Sequence, residues 1–288
     1  MPKLLSEVFA RYKNPSFSEL YEAVKEIRRL QQHQGDTKNQ GYHDRLQRAS
    51  SWLAKAKKAG TDSEARFIFL WIALNALCAV RPDIPDTSWW RSEEESPPPL
   101  SKRRSDDKNP RELEWFLWRV CGLDGSAGIL RSVIEAHRDN VKTVLRTRYL
   151  MSNYWFWKWR TEDELSKWKI SSQGTINRAI HSVGDRELTY RALGEILVWR
   201  LRTLRNQLFH GCATDTHSTR RADGESELEA GSSLLEELIW KFLVLMASES
   251  GQSRYWPPCP YPRAGSAQHQ PFDDSWLPKC GGRNAPFQ

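Results

Sequence analysis

Three polar side chains near the end of one patterned stretch carry the groups needed to cleave an RNA phosphodiester. Arg205, Asn206 and His210 lie within residues 201–211, and Arg205 and His210 are five positions apart. Histidine titrates near neutral pH and can transfer protons, while arginine keeps its charge and presents a planar donor fork to phosphate oxygens. Because RNA carries its own nucleophile, the 2′-hydroxyl, these groups predict cleavage without a metal.

Helix geometry constrains how these three residues act together. Asn206 and His210 are four positions apart, so they share one face of a helix and Asn206 can bind the phosphate or orient the histidine. Arg205 lies about 140° around the helix from His210 at about 100° per residue. Its long side chain must therefore bend round the helix, or the helix must unwind near His210, which the stop signal Gly211 favours.

The elements that must position these residues are helices. Apolar spacing and capping residues predict helices over 16–34, 42–59, 61–80, 112–120, 129–159, 162–183, 186–210 and 226–248. The helix over 61–80 is apolar on nearly every side, which predicts central burial, and its polar Asn75 is expected to be a satisfied core amide. Trp155, Trp157 and Trp159 alternate as in a strand, but the helical flanks favour a helix end or a short extended link there. No convincing strand pattern occurs in the sequence, so the predicted fold class is all-α.

The remaining segments complete the predicted organisation. Residues 1–42 form an N-terminal helical extension, and 43–250 form the main helical domain, which contains a large helical insertion over 81–184. Prolines and charges dominate 81–110 and predict a mobile surface loop, and a Pro- and Gly-rich composition predicts an irregular tail over 251–288.

Composition and charge favour an intracellular protein that has reduced cysteines and binds a polyanion. The 288 residues carry a formal net charge of +7, which favours polyanions such as RNA. Five cysteines, without a C-x-x-C pair, predict reduced thiols. The first residues lack the apolar run of a signal peptide, and the longest apolar run, over 67–74, is too short to span a bilayer. We therefore expect a soluble cytoplasmic protein without a membrane partner.

No metal site or cofactor is expected from the sequence. The spacing of His210, Cys212 and His217 fits no established zinc pattern. The paired carboxylates Asp273 and Asp274 lie in the predicted irregular tail, so a metal-dependent nuclease lacks a carboxylate cluster on any predicted helix.

The motif also resembles a known superfamily. Arg205-Asn206-x-x-x-His210, followed by Gly211, is similar to the R-x4-H motif of HEPN proteins, and residues 66–77 resemble the apolar helix of the Apea-like branch. The resemblance implies a bundle around four helices, a homodimer whose two motifs share a cleft, and metal-independent endoribonuclease activity. It implies a place in toxin–antitoxin, stress or anti-phage systems, where a regulatory protein partner is possible.

One departure from the superfamily bears on regulation. Members that are silenced by adenylylation carry a tyrosine two residues after the histidine, whereas this chain has Cys212. The resemblance therefore does not support a nucleotidyltransferase antitoxin as the partner.

Two further interpretations stay open at this point. Arg205 can be a solvated cation and His210 a helix-terminal group that stabilises the last carbonyls through the helix dipole. The chain can also be a non-catalytic HEPN-like module that binds RNA or a protein. Arg200 and Arg202 are expected to be exposed charges that can hold RNA phosphates.

Overall fold

The computed structural model describes residues 22, 25, 40–78, 97–98, 100, 111–125, 127–147, 150, 162–182, 184–209 and 227–248. Their regular secondary structure is helical and these ranges contain no strand, which confirms the all-α class. Of the predicted helix over 16–34, residues 22 and 25 are described and both are helical. The predicted tail over 251–288 lies outside the described ranges. No helix in this part of the chain combines the length and apolar composition that a membrane crossing requires.

The helices follow the predicted order closely. In chain order they are α1 Gln40–Lys58, α2 Ser63–Cys78, α3 Arg111–Asp124, α4 Ile129–Ala136, α5 Arg138–Arg146, α6 Glu162–His181, α7 Arg186–Leu193, a π-helical segment Gly194–Leu201, α8 Arg202–Phe209 and α9 Glu227–Ser248. The helices predicted over 42–59, 61–80, 112–120, 162–183 and 226–248 are confirmed, with small differences at their ends.

Helices α2 and α9 form the centre of the bundle. Helix α2 packs against α1 and α9, and α9 also packs against α3, α4 and α5. Phe67, Leu70 and Leu74 of α2 have no exposed surface, which confirms the predicted central burial of this helix. Asn75, in contrast, is exposed. The expectation of a core amide there is wrong, because α2 leaves one side incompletely covered and Asn75 lies on that side.

Polar contacts fix the position of α2 within the bundle. The Arg45 side chain is fully buried, and its Nη1 donates a hydrogen bond of 2.9 Å to the carbonyl oxygen of Leu77 in the last turn of α2. A cation is favourable at this end of a helix, where carbonyl groups lack partners within the helix. Arg66 pairs with Glu236 of α9 at 2.8 Å. Helices α1 and α9 are thus each joined to α2 by a charged contact.

The helix predicted over 129–159 is interrupted. It divides into α4 and α5 at His137, whose backbone angles of φ −96° and ψ 27° are not helical. Helix α5 then ends at Thr147, which is extended with φ −71° and ψ 116°. Apolar residues continue at helical spacing through the break, which is why their periodicity did not reveal it.

The helix that carries the motif extends from Arg186 to Phe209, but its middle is wound differently from its ends. It begins after Asp185, whose side chain accepts a hydrogen bond of 2.9 Å from the backbone N–H of Leu188. The π-helical segment Gly194–Leu201 separates two α-helical parts. The predicted apolar stripe is confirmed, with four leucines buried and one partly buried: Leu193, Leu197, Leu201, Leu204 and Leu208.

Part of the predicted loop over 81–110 packs against this helix. Leu100 is partly buried and contacts the core, and Pro97 and Pro98 are also only partly exposed. A Cβ atom built on Gly194 would lie 2.5 Å from Cδ2 of Leu100. The described residues near Leu100 therefore lie on the bundle, unlike the surface loop that was predicted. The rest of 81–110 lies outside the described residues.

Gly194→Ala should lower the free energy of unfolding by about 1–2 kcal/mol, within the range for overpacking a close contact. Without a close contact, alanine would stabilise a helix interior by roughly 0.5–1 kcal/mol relative to glycine. A loss of stability in Gly194→Ala would therefore indicate the contact with Leu100. In a Leu100→Ala background the same substitution should become neutral or stabilising. Urea unfolding of the four proteins measures both effects, and stabilisation by Gly194→Ala alone would contradict the contact.

Candidate active site at the end of the motif helix

The cation of the predicted motif lies at the polar end of α8. Leu204 is buried and anchors the helix, while the neighbouring Arg205 and Asn206 are partly exposed at the surface of the bundle. Nη1 of Arg205 donates a hydrogen bond of 2.9 Å to Oδ1 of Asn206. The guanidinium carbon of Arg205 lies 4.3 Å from the centre of the Phe209 ring. The structure thus brings Arg205 and Asn206 into direct contact, and Asn206 orients the cation.

The Arg205 guanidinium is held weakly enough to change partners. Its Nε–H is buried and has no hydrogen-bond acceptor among the described residues. A cation over an aromatic ring contributes about 0.5–1 kcal/mol at an exposed site, whereas a hydrogen bond to a charged group contributes about 1.5–3 kcal/mol. A phosphate that accepts from Arg205 would therefore outweigh the contact with Phe209.

The histidine of the motif, His210, lies outside the described residues, as do Gly211 and Cys212. The shared face of Asn206 and His210 stays a prediction, as does the angle between Arg205 and His210. Helix α8 keeps α-helical winding as far as Phe209. This winding places Arg205 and Phe209, which are four positions apart, on one face and accounts for their contact.

Arg200 is not the exposed charge that was predicted. Its side chain has no exposed surface, so it does not reach RNA in this structure and the predicted phosphate contact fails for this residue. Burial lowers the pKa of Arg200 to about 9, which still leaves it charged at neutral pH. Arg202, the first residue of α8, is partly exposed, and its phosphate contact stays a prediction.

The π-helical winding accounts for the burial of Arg200. A π-helix closes hydrogen bonds between residues five apart, so Glu195 and Arg200 fall on the same side of the segment, whereas an α-helix would separate them widely. Oε2 of Glu195 accepts a hydrogen bond of 3.0 Å from Oγ of Ser172 on α6. Burial raises the pKa of the Glu195 carboxyl, and the charge of Arg200 and the Ser172 hydrogen bond oppose that shift. The π-helical segment therefore places the partly buried Glu195 carboxyl and the buried Arg200 guanidinium on one side of the helix, upstream of Arg205.

The sequence analysis did not identify a polar cluster around His137 at the junction of α4 and α5. Nε2 of His137 lies 2.5 Å from Oε2 of Glu237 on α9, and Nδ1 lies 3.1 Å from Nδ2 of Asn140. Both ring nitrogens of His137 therefore have polar partners, one on α5 and one on α9. These contacts join the junction of α4 and α5 to α9. No spacing in the sequence relates residues 137 and 237.

The described thiols are unreactive. Cys78 and Cys121 are free and buried, and burial raises the pKa of Cys78 to about 12 and that of Cys121 further still. Within the described ranges, no three His, Cys, Asp or Glu side chains are grouped as metal ligands. The other three cysteines, Cys212, Cys259 and Cys280, lie outside those ranges.

Comparison with known proteins finds no match to this chain among family models, curated proteins or solved structures.

Proposed function

We propose that this protein is a metal-independent endoribonuclease of HEPN type. Arg205 and His210 are the catalytic residues of this proposal, and Asn206 orients Arg205. The observation that carries it is the state of Arg205: its partly exposed side chain lies near the end of α8 and contacts Asn206.

The proposed chemistry uses the 2′-hydroxyl of RNA as the nucleophile. His210 removes its proton or protonates the leaving 5′-oxygen, while Arg205 stabilises the charge that grows on the phosphate oxygens. The products then carry a 2′,3′-cyclic phosphate and a 5′-hydroxyl. Each chain has one Arg–His set, so separate acid and base groups require two copies, and we include a homodimer in the proposal.

The proposed context is anti-phage defence or a toxin–antitoxin or stress system in the cytoplasm, with a regulatory protein as a possible further partner. These parts of the proposal rest on the resemblance of residues 66–77 and 205–211 to HEPN proteins.

A substrate with a blocked nucleophile tests the proposal most directly. A single-stranded RNA should be cleaved in the presence of EDTA, and the same RNA with 2′-O-methyl groups should be cleaved about 10²-fold more slowly or not at all, because internal attack is lost. Gel electrophoresis of end-labelled RNA measures both rates, and a ribonuclease inhibitor and a His210→Ala preparation control for contamination. Equal cleavage of the two substrates would exclude internal attack. Binding of the RNA without any cleavage would favour the non-catalytic HEPN-like module.

A further inference from the structure

The aromatic ring beside Arg205 is unusually accessible. Phe209 is 54 % exposed at the end of α8, and among the described residues only Ile170, at 72 %, is a more exposed large apolar side chain. Most large apolar side chains in these ranges are buried in the core or pack against it. An exposed ring in contact with the proposed catalytic arginine is therefore a candidate binding surface.

The surroundings of the ring favour a polyanion with flat groups. One side of the ring carries the Arg205 guanidinium at 4.3 Å, and the Arg205 side chain is partly exposed. A ring and a cation held side by side match the two parts of a nucleotide, since a base stacks on the ring while its phosphate accepts from the cation. A protein partner that covered the ring would also have to desolvate this cation.

We propose that Phe209 is the stacking platform for a nucleobase next to the phosphate that Arg205 binds. This inference names the substrate class of the same site and rests on the proposed function: single-stranded RNA, since bases in a duplex have both faces stacked on their neighbours. Any of the four bases can stack on a phenyl ring. The platform therefore favours single-stranded over double-stranded RNA but discriminates little among base sequences.

Binding to an RNA that resists cleavage tests the platform apart from catalysis. The probes are fluorescent 2′-O-methyl oligonucleotides, one complete and the others each lacking a single base. Phe209→Leu should weaken binding of the complete probe by about 5-fold or more, whereas Phe209→Trp should retain it. Ile170→Ala, which removes the other exposed apolar side chain, is the matched control and should bind like the wild type.

The abasic probes then identify stacking itself. In the wild type, removal of the base at one position should weaken binding, and in Phe209→Leu removal at that position should have no further effect. Unchanged affinity of Phe209→Leu would overturn the inference, as would a wild type that does not bind the complete probe. A variant that binds normally but loses its homodimer in sedimentation would also overturn it, since the ring would then be a subunit contact.

Cleavage assays separate this inference from the proposed function. If the wild type cleaves RNA and Phe209→Leu has an unchanged KM, the platform is wrong and the ribonuclease stands. If the wild type binds the probe through Phe209 but cleaves no RNA, the platform stands and the ribonuclease is wrong. Where both are right, Phe209→Leu should raise KM by about 5-fold or more with little change in kcat.

Discussion

Arg200→Met should lower the free energy of unfolding by about 1–3 kcal/mol, below the cost of about 3–5 kcal/mol for breaking a fully buried pair of charges, because the Glu195 side chain is only partly buried. The substitution leaves the Glu195 carboxyl in its partly buried position with the Ser172 hydroxyl but without the nearby cation. Arg191→Met, on the same helix, is the control. Arg191 pairs with Glu187 at 2.7 Å near the surface, and the loss of such a pair costs about 0.3–0.5 kcal/mol.

The effect of Arg200→Met should depend on pH in a defined direction. The pKa of Glu195 is already raised by burial, and loss of the cation raises it further. A carboxyl with a raised pKa in the folded state favours folding below its unfolded pKa, and this advantage is lost as the pH rises through the folded pKa. The destabilisation should therefore be smaller at about pH 5 than at about pH 7.5.

Urea unfolding of the variants at both pH values checks these expectations. The double variant Glu195→Gln with Arg200→Met should recover part of the lost stability, because the partly buried carboxylate is then no longer left without its counter-charge. If Arg200→Met is as mild as Arg191→Met at both pH values, the charges of Glu195 and Arg200 are not coupled.

Arg205→Ala and His210→Ala should each lower the rate of RNA cleavage by about 10²-fold or more, the scale for loss of an anion-stabilising or proton-transfer group. Arg205→Lys should fall between the wild type and Arg205→Ala, because lysine keeps the charge but lacks the planar donor fork. Arg178→Ala, which removes an exposed cation on α6, is the control for loss of positive charge and should cleave normally.

Neither catalytic variant should unfold the protein. The Arg205 guanidinium makes a hydrogen bond to its neighbour Asn206 and a ring contact with Phe209, which together contribute at most about 2–4 kcal/mol, less than the usual stability of a folded domain, about 5–15 kcal/mol. Circular dichroism should therefore be unchanged while cleavage is lost. A folded His210→Ala variant with the wild-type cleavage rate would remove His210 from the mechanism, and a fully active Arg205→Ala variant would remove Arg205.

Apolar periodicity predicted most of the fold because the bundle buries apolar stripes. The stripe from Leu193 to Leu208 identified the motif helix, and the apolar composition of 66–77 identified the central helix α2. The same reasoning missed the break at His137, because apolar residues continue at helical spacing on both sides of it. The contacts that support this break come from Glu237, 100 positions away, and local periodicity carries no information on them.

The π-helical segment explains the clearest error at the candidate site. The leucine stripe has spacings of three and four residues, which an α-helix accommodates, so nothing in it indicated a wider turn. Under α-helical winding, Arg200 falls on a different side from Glu195, and a charged residue there is expected in solvent. Arg205 lies at a polar helix end as expected, because that expectation depended on the chain after the π-helical segment, but its hydrogen bond to Asn206 was not predicted.

The π-helical segment also has an evolutionary consequence. A π turn contains one more residue than an α turn, so it is equivalent to a one-residue insertion in an ordinary helix. The flanks of this segment are held independently, by the Asp185 cap before it and by the buried Leu204 after it. A relative that lost the extra residue would close the segment to an α-helix and keep both flanks in place. In an alignment, such a relative should show a single one-residue gap within 194–201. The spacing between the residues equivalent to Glu195 and Arg200 would shorten from five to four, and the residue equivalent to Arg205 would stay aligned.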